Sequence, residues 1–156
     1  MKKLLWVPLV LLGLVTNLNW TVAETTDPTR AKGDTKGIQF EETSWKEVLK
    51  KAKAEQKIIF LDAYASWCGP CKMLQKNVFT KKEVGDYFNK QFINVKMDME
   101  KGEGPALART YPLEAYPTLL FIDGNGRVMK KVIGYQSPEQ LLSIGQSLKK
   151  SALRNL

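Results

Sequence analysis

Histidine is absent from this 156-residue chain, and cysteine occurs only twice, at Cys68 and Cys71. Without an imidazole, hydrolysis by a Ser-His-Asp triad, Cys-His proteolysis and histidine phosphotransfer are all excluded. A structural zinc site takes four ligands, chiefly Cys or His, so two cysteines cannot close one within a single chain, and no metal is expected. Long apolar runs are scarce too. Leu4 to Val15 spans 12 residues and is broken by Pro8 and Gly13, whereas a membrane-spanning helix needs about 20. Like charges never run to five or more; lysines come singly or in pairs, as at Lys50-Lys51 and Lys130-Lys131. With no arginine-rich stripe either, nucleic acid is not an expected partner. The chemistry left to this chain is that of thiols, carboxylates, amines and backbone.

What is present is the balance of a folded protein: 44% hydrophobic and 26% charged residues leave enough apolar surface for a core. Lys2 and Lys3, the apolar run and the small-residue pattern Thr21-Val22-Ala23 together read as an export signal over residues 1–23, cleaved after Ala23. Retention as a membrane anchor is the alternative, disfavoured by the length of the run. Removing the two lysines of that segment leaves 22 basic against 16 acidic residues, a charge of +6 over 133 residues. Residues 24–37 are polar and read as a flexible leader, residues 38–150 as one domain, and 151–156 as a tail.

Within the domain, helix and strand signals alternate. Ser44 and Glu47 form a capping box before Trp45, Val48, Leu49 and Ala52, predicting a helix to about Gln56. Ile58 to Ala65 is an apolar, β-rich run with one acidic intruder, Asp62, and reads as a buried strand. Thr80 and Glu83 suggest a second capping box for a helix to about Asn89. Phe92 to Asp98 follows as a strand, and a short helix ends near Thr110. Thr118 to Asp123 and Arg127 to Ile133 flank the turn Asp123-Gly124-Asn125-Gly126 as a hairpin. Ser137, Pro138 and Gln140 open a final helix. This order predicts an α/β fold: a central mixed sheet with helices on both faces.

The chemically loaded segment is Trp67-Cys68-Gly69-Pro70-Cys71-Lys72, where a buried strand hands over to a helix. Two residues between the cysteines put Cys68 at the helix N-terminus and Cys71 one turn on. Unpaired N–H groups and the helix dipole there favour a thiolate, and the thiolate is the nucleophile. Cys71 is then placed to attack a mixed disulfide and release product. Pro70 suits the first turn, where a missing N–H costs nothing. Two plainer readings stay open at this point. The pair could be a stabilising disulfide, although so short a loop contributes only about 2 kcal/mol, or half of a zinc site shared between chains.

The stretch Leu61-Asp62-Ala63-Tyr64-Ala65-Ser66-Trp67-Cys68-Gly69-Pro70-Cys71-Lys72 resembles the active-site signature of thioredoxins. Tyr116-Pro117-Thr118, followed by Leu119-Leu120-Phe121, resembles the family's cis-proline segment, and Gly134 its late glycine. The resemblance covers about residues 38–150. Val78-Phe79-Thr80 and Val84, in the longer segment after Cys71, are more similar to exported thioredoxin-like proteins, especially the C-terminal domain of the transmembrane disulfide reductase of the bacterial periplasm.

The resemblance implies a thioredoxin-like fold and a cofactor-free thiol–disulfide oxidoreductase in which Cys68 attacks and Cys71 resolves. It assigns Asp62 as a buried acid that takes the Cys71 proton and Lys96 as that acid's neighbour. Trp67, Gly69, Pro70, Tyr116 and Pro117 would form the substrate surface, with a cis bond before Pro117. The plain alternatives are a strand-end carboxylate for Asp62, a surface lysine for Lys96, a core tryptophan for Trp67 and a trans turn for Pro117. The implied partners are protein disulfides or dithiols and a membrane-embedded disulfide reductase as electron donor, with the protein a monomer. The implied location is the periplasm, or a membrane-anchored or secreted position. The Gly-Pro insert resembles reducing relatives. A disulfide oxidase or isomerase, a non-catalytic chaperone-like module and, more remotely, a peroxidase are the competing functions.

Overall fold

A computed structural model describes residues 37–154, with side chains to residue 150; the export segment expected over residues 1–23, and the leader expected over 24–37 save its last residue, lie outside that range. The order of elements is α1 (Trp45–Glu55), β1 (Ile58–Tyr64), α2 (Gly69–Asn77), α3 (Lys82–Gln91), β2 (Phe92–Asp98), α4 (Gly104–Thr110), β3 (Thr118–Ile122), β4 (Val128–Ile133) and α5 (Pro138–Arg154). The four strands form one sheet in the order β2-β1-β3-β4. β1 pairs parallel with β2 and antiparallel with β3, and β3 pairs antiparallel with β4, so the sheet is mixed as its connections require.

Alternation along the strands sorts the core onto two faces. Ile59, Leu61 and Ala63 of β1 join Ile93 and Val95 of β2 and Leu120 and Ile122 of β3 under α1 and α4. Phe60 of β1, with Phe92, Leu119 and Phe121, packs on the opposite face against Leu74 of α2, Val84 and Phe88 of α3, and Leu141 and Leu148 of α5. Phe60, Phe88 and Phe121 are fully buried and in mutual ring contact. Each contributes roughly 1.5–3 kcal/mol of burial. β1 is buried on both faces, so Asp62, alternating with Phe60, is forced inward on the α2 side.

Two of the three expected N-terminal caps form. The Ser44 hydroxyl accepts from the Glu47 N–H at 3.3 Å. Ser137 accepts from the Gln140 N–H at 3.3 Å, while the Gln140 side chain accepts from the Ser137 N–H at 2.8 Å. The box expected at Thr80 and Glu83 does not. The Thr80 hydroxyl donates to the Lys76 carbonyl at 2.6 Å, and α3 begins at Lys82 with no side-chain cap. The helix before it runs on to Asn77, and the residues joining the two helices take up its last carbonyls instead. At the hairpin, Asp123 accepts from the N–H groups of Asn125 and Arg127 and from the Arg127 guanidinium, and Gly126 supplies the positive φ.

Candidate active site

β1 ends at Tyr64, and a tight turn carries the chain into α2: the Cys68 N–H donates to the Ala65 carbonyl at 3.0 Å. Cys68 is the N-cap of α2, and its sulfur accepts from the Cys71 N–H at 3.2 Å. Gly69 and Pro70 form the first helical turn, both exposed, while Cys68 is 3% and Cys71 0% exposed. The two sulfurs are bonded at 2.11 Å with the Cα atoms 5.3 Å apart. Cys68 therefore keeps a sliver of solvent exposure that Cys71 lacks.

Trp67 is not a core residue. Its side chain is 67% exposed, its indole N–H donates to Glu100 at 2.9 Å, and its ring stands edge-on to Tyr116 with centroids 5.9 Å apart. Tyr116 packs against the small buried cluster of Ala65, Cys68 and Cys71. The bond between Tyr116 and Pro117 is cis. Trp67 and Tyr116 thus meet beside the cysteine turn, which exposes Gly69 and Pro70, while Pro117 is buried. Glu100 and Lys101, on the loop after β2, clasp this turn; Lys101 donates to the Ser66 hydroxyl at 3.1 Å.

Asp62 is 0% exposed, and neither carboxylate oxygen has a hydrogen-bond partner of acceptable geometry. Burial pushes its pKa up to about 7; the Gln75 amide and the Lys96 ammonium, close enough to oppose that rise, do not cancel it. Lys96 is directly in register with Asp62 on β2, so it lies on the same sheet face. Lys96 is exposed, and its ammonium lies 5.6 Å from the centre of the Phe40 ring. A buried acid that titrates near neutrality can both take and return a proton in the working pH range.

Four residues of this neighbourhood, Gln75, Glu100, Lys101 and Phe40, were not singled out by sequence reasoning. Gln75 had a usable signal: four residues after Cys71, it returns to the same face of α2. Glu100, Lys101 and Phe40 had none, because only the fold brings the loop after β2 and the stretch before α1 to the site. Among the described residues no group of His, Cys, Asp and Glu could hold a metal ion, and no helix is long and apolar enough to cross a membrane.

Comparison with known proteins agrees with this geometry. Residues 45–149 match the family described as a thioredoxin-like domain. A thioredoxin from Staphylococcus epidermidis is 34% identical over 93 residues, covering 60% of this chain and 84% of that protein. The thiol:disulfide interchange protein DsbD of Haemophilus ducreyi is 32% identical over 133 residues, covering 81% of this chain and 22% of DsbD. Among solved structures, a candidate disulphide-isomerase from Bacteroides thetaiotaomicron shares 50% identity at a TM-score of 0.62, over 70% of this chain and 92% of that one.

Proposed function

Since the chain belongs to the thioredoxin-like family and is a thiol–disulfide oxidoreductase built on Cys68 and Cys71, we propose that it is exported and works as a reductant of protein disulfides. The Cys68 thiolate attacks one sulfur of a substrate disulfide, and the other substrate sulfur leaves as a thiolate. Cys71 then gives its proton to Asp62 and attacks Cys68, and the second substrate sulfur leaves. Two electrons pass to the substrate, and the Cys68–Cys71 disulfide remains. An extended substrate segment lies across Tyr116 and Pro117, with Trp67 beside it and Gly69 and Pro70 below.

The observation that carries the reducing direction is the Gly69-Pro70 pair between the two cysteines, an insert that resembles that of reducing relatives. The return of electrons is assigned to a membrane-embedded disulfide reductase outside the cytoplasm. The export-type residues 1–23 and the likeness to a segment of DsbD support this. A second reading, disulfide isomerisation in the same compartment, is favoured by the 50% identity to the Bacteroides structure.

Trapping tests the mechanism. Cys71→Ser is expected to accumulate a mixed disulfide between Cys68 and its substrates, seen as adducts that dissolve in dithiothreitol, while Cys68→Ser gives none. Absence of adducts with Cys71→Ser would contradict the assignment of attacking and resolving sulfurs.

A further inference from the structure

The segment Gly37–Thr43 precedes α1 and the family-matched region, yet it is bound tightly to the domain. The Ile38 N–H donates to the Phe79 carbonyl at 2.6 Å and the Glu41 N–H to the Asn94 carbonyl at 2.8 Å. Asn89 of α3 fixes it from both sides, donating to the Gly37 carbonyl at 3.0 Å and accepting from the Gln39 N–H at 2.8 Å. Ile38 and Phe40, two apart on this strap, turn toward the domain, where the Phe40 ring meets Phe79 edge-on at 5.5 Å. Ile38, Phe40, Gln75, Phe79, Thr80 and Lys96 line a cleft of about 190 Å³.

Gln75 and Lys96 are also the two polar side chains that act on Asp62. The cleft is therefore lined by both polar side chains that act on a carboxyl whose oxygens have no hydrogen-bond partner of acceptable geometry. The groups facing Asp62 are few. From α2 comes Gln75, from β2 the in-register Lys96, and from β3 the apolar Leu119; Tyr64 is the titratable neighbour on its own strand. Phe40 touches the one cation in that set.

We propose that Phe40 is a positioning residue for proton transfer: its ring anchors the Lys96 ammonium and closes the cleft through which Asp62 exchanges its proton with solvent. This rests on the reading of Asp62 as the base for Cys71. In resolution the Cys71 proton passes to the Asp62 carboxylate, and the sulfur's electron pair forms the bond to Cys68. The bond from Cys68 to the substrate breaks, and its pair leaves on the substrate sulfur. Asp62 then releases the proton into the cleft, past Gln75. The apolar lid keeps bulk water from the carboxyl, and the anchored ammonium keeps a counter-charge at fixed range. Removing the ring admits water and frees the ammonium to turn toward the carboxylate, and both changes favour the ionised form.

The test uses the full chain. The Asp62 carboxyl is titrated by ¹³C NMR in the disulfide form, with Asp62→Asn identifying its signal, and the pH profile of substrate-thiol release from a preformed mixed disulfide is measured alongside. Phe40→Ala is expected to lower the Asp62 midpoint by about one pH unit and to move the release profile with it. Phe40→Trp, which keeps a ring over the ammonium, is expected to retain the parent midpoint. Phe40→Leu is expected to give a smaller fall, and carries the test if the alanine variant is too unstable to titrate. A merely structural role would lower the melting temperature and leave the midpoint in place, and that result overturns the proposal. If Asp62→Asn keeps the parent release profile, the base reading fails and this proposal with it. If Asp62→Asn removes the profile's inflection while Phe40→Ala and Phe40→Leu leave it unmoved, the Phe40 proposal alone is overturned.

Discussion

A carboxylic acid enclosed without a hydrogen-bond partner is an expensive residue to keep, and Asp62 makes that cost depend on pH. Its folded pKa is raised to about 7 from an ordinary 3.8. The sign follows from linkage: below about pH 4 Asp62 is protonated in both folded and unfolded chains and costs nothing in this respect. As the pH rises toward and through 7, the unfolded chain has already lost the proton that the folded one still holds, and stability falls. Asp62→Asn has no such loss. It is expected to equal the parent in denaturant titrations near pH 4 and to exceed it by on the order of 4 kcal/mol at pH 8. Equal stability of the two proteins at pH 8 would contradict a perturbed acid. Cys68→Ser separates catalysis from holding: disulfide reduction is expected to fall to background, whereas a chaperone-like module would retain its activity. At this scale the cysteines were legible because their chemistry is local, two residues apart at a strand-to-helix turn. Asp62 was legible as an acid inside an apolar strand. Glu100, which holds the exposed indole of Trp67, was not, since no spacing in the sequence links residues 67 and 100.

Helix ends show where local pattern governs and where it yields. Ser137 and Gln140 satisfy each other's backbone donors, as their spacing predicts. Ser137→Ala is expected to cost about 1 kcal/mol, read as a lower urea midpoint at unchanged slope. Thr80 has the same kind of neighbour at the same spacing, but its hydroxyl is committed backward to Lys76 and caps nothing. Thr80→Ala is expected to change stability by no more than about 0.5 kcal/mol. A full capping cost there would contradict the observed geometry. The strap before α1 was the least legible element. Its residues carry no strong period, and it is held by backbone bonds to Phe79 and Asn94 that become available only once the fold exists. Gly85 marks its seat: a Cβ there would run into the Gly37 backbone. Gly85→Ala is accordingly expected to destabilise by about 1–3 kcal/mol through overpacking. A neutral effect in the same titration would mean that the strap is not seated as described.

Across the whole molecule, the alternation of element types was enough to give a mixed sheet with helices on both faces, because βαβ and hairpin connections admit few other arrangements. The sheet order then does the functional work. It sets β1 between β2 and β3, so that the strand carrying Asp62 is buried on both sides and ends at the cysteine turn. The β2 edge supplies Lys96, and the segment leading into β3 supplies Tyr116 and Pro117. The central claim is that this assembly makes the Cys68–Cys71 pair a reversible couple that gives electrons away. It is tested most directly by equilibrating the purified protein in glutathione or dithiothreitol buffers of known potential and quantifying the free thiols of the pair. The account predicts a single two-electron transition near about −270 mV. A midpoint of about −120 to −180 mV would contradict the reducing direction, and no reversible transition at all would contradict the redox role.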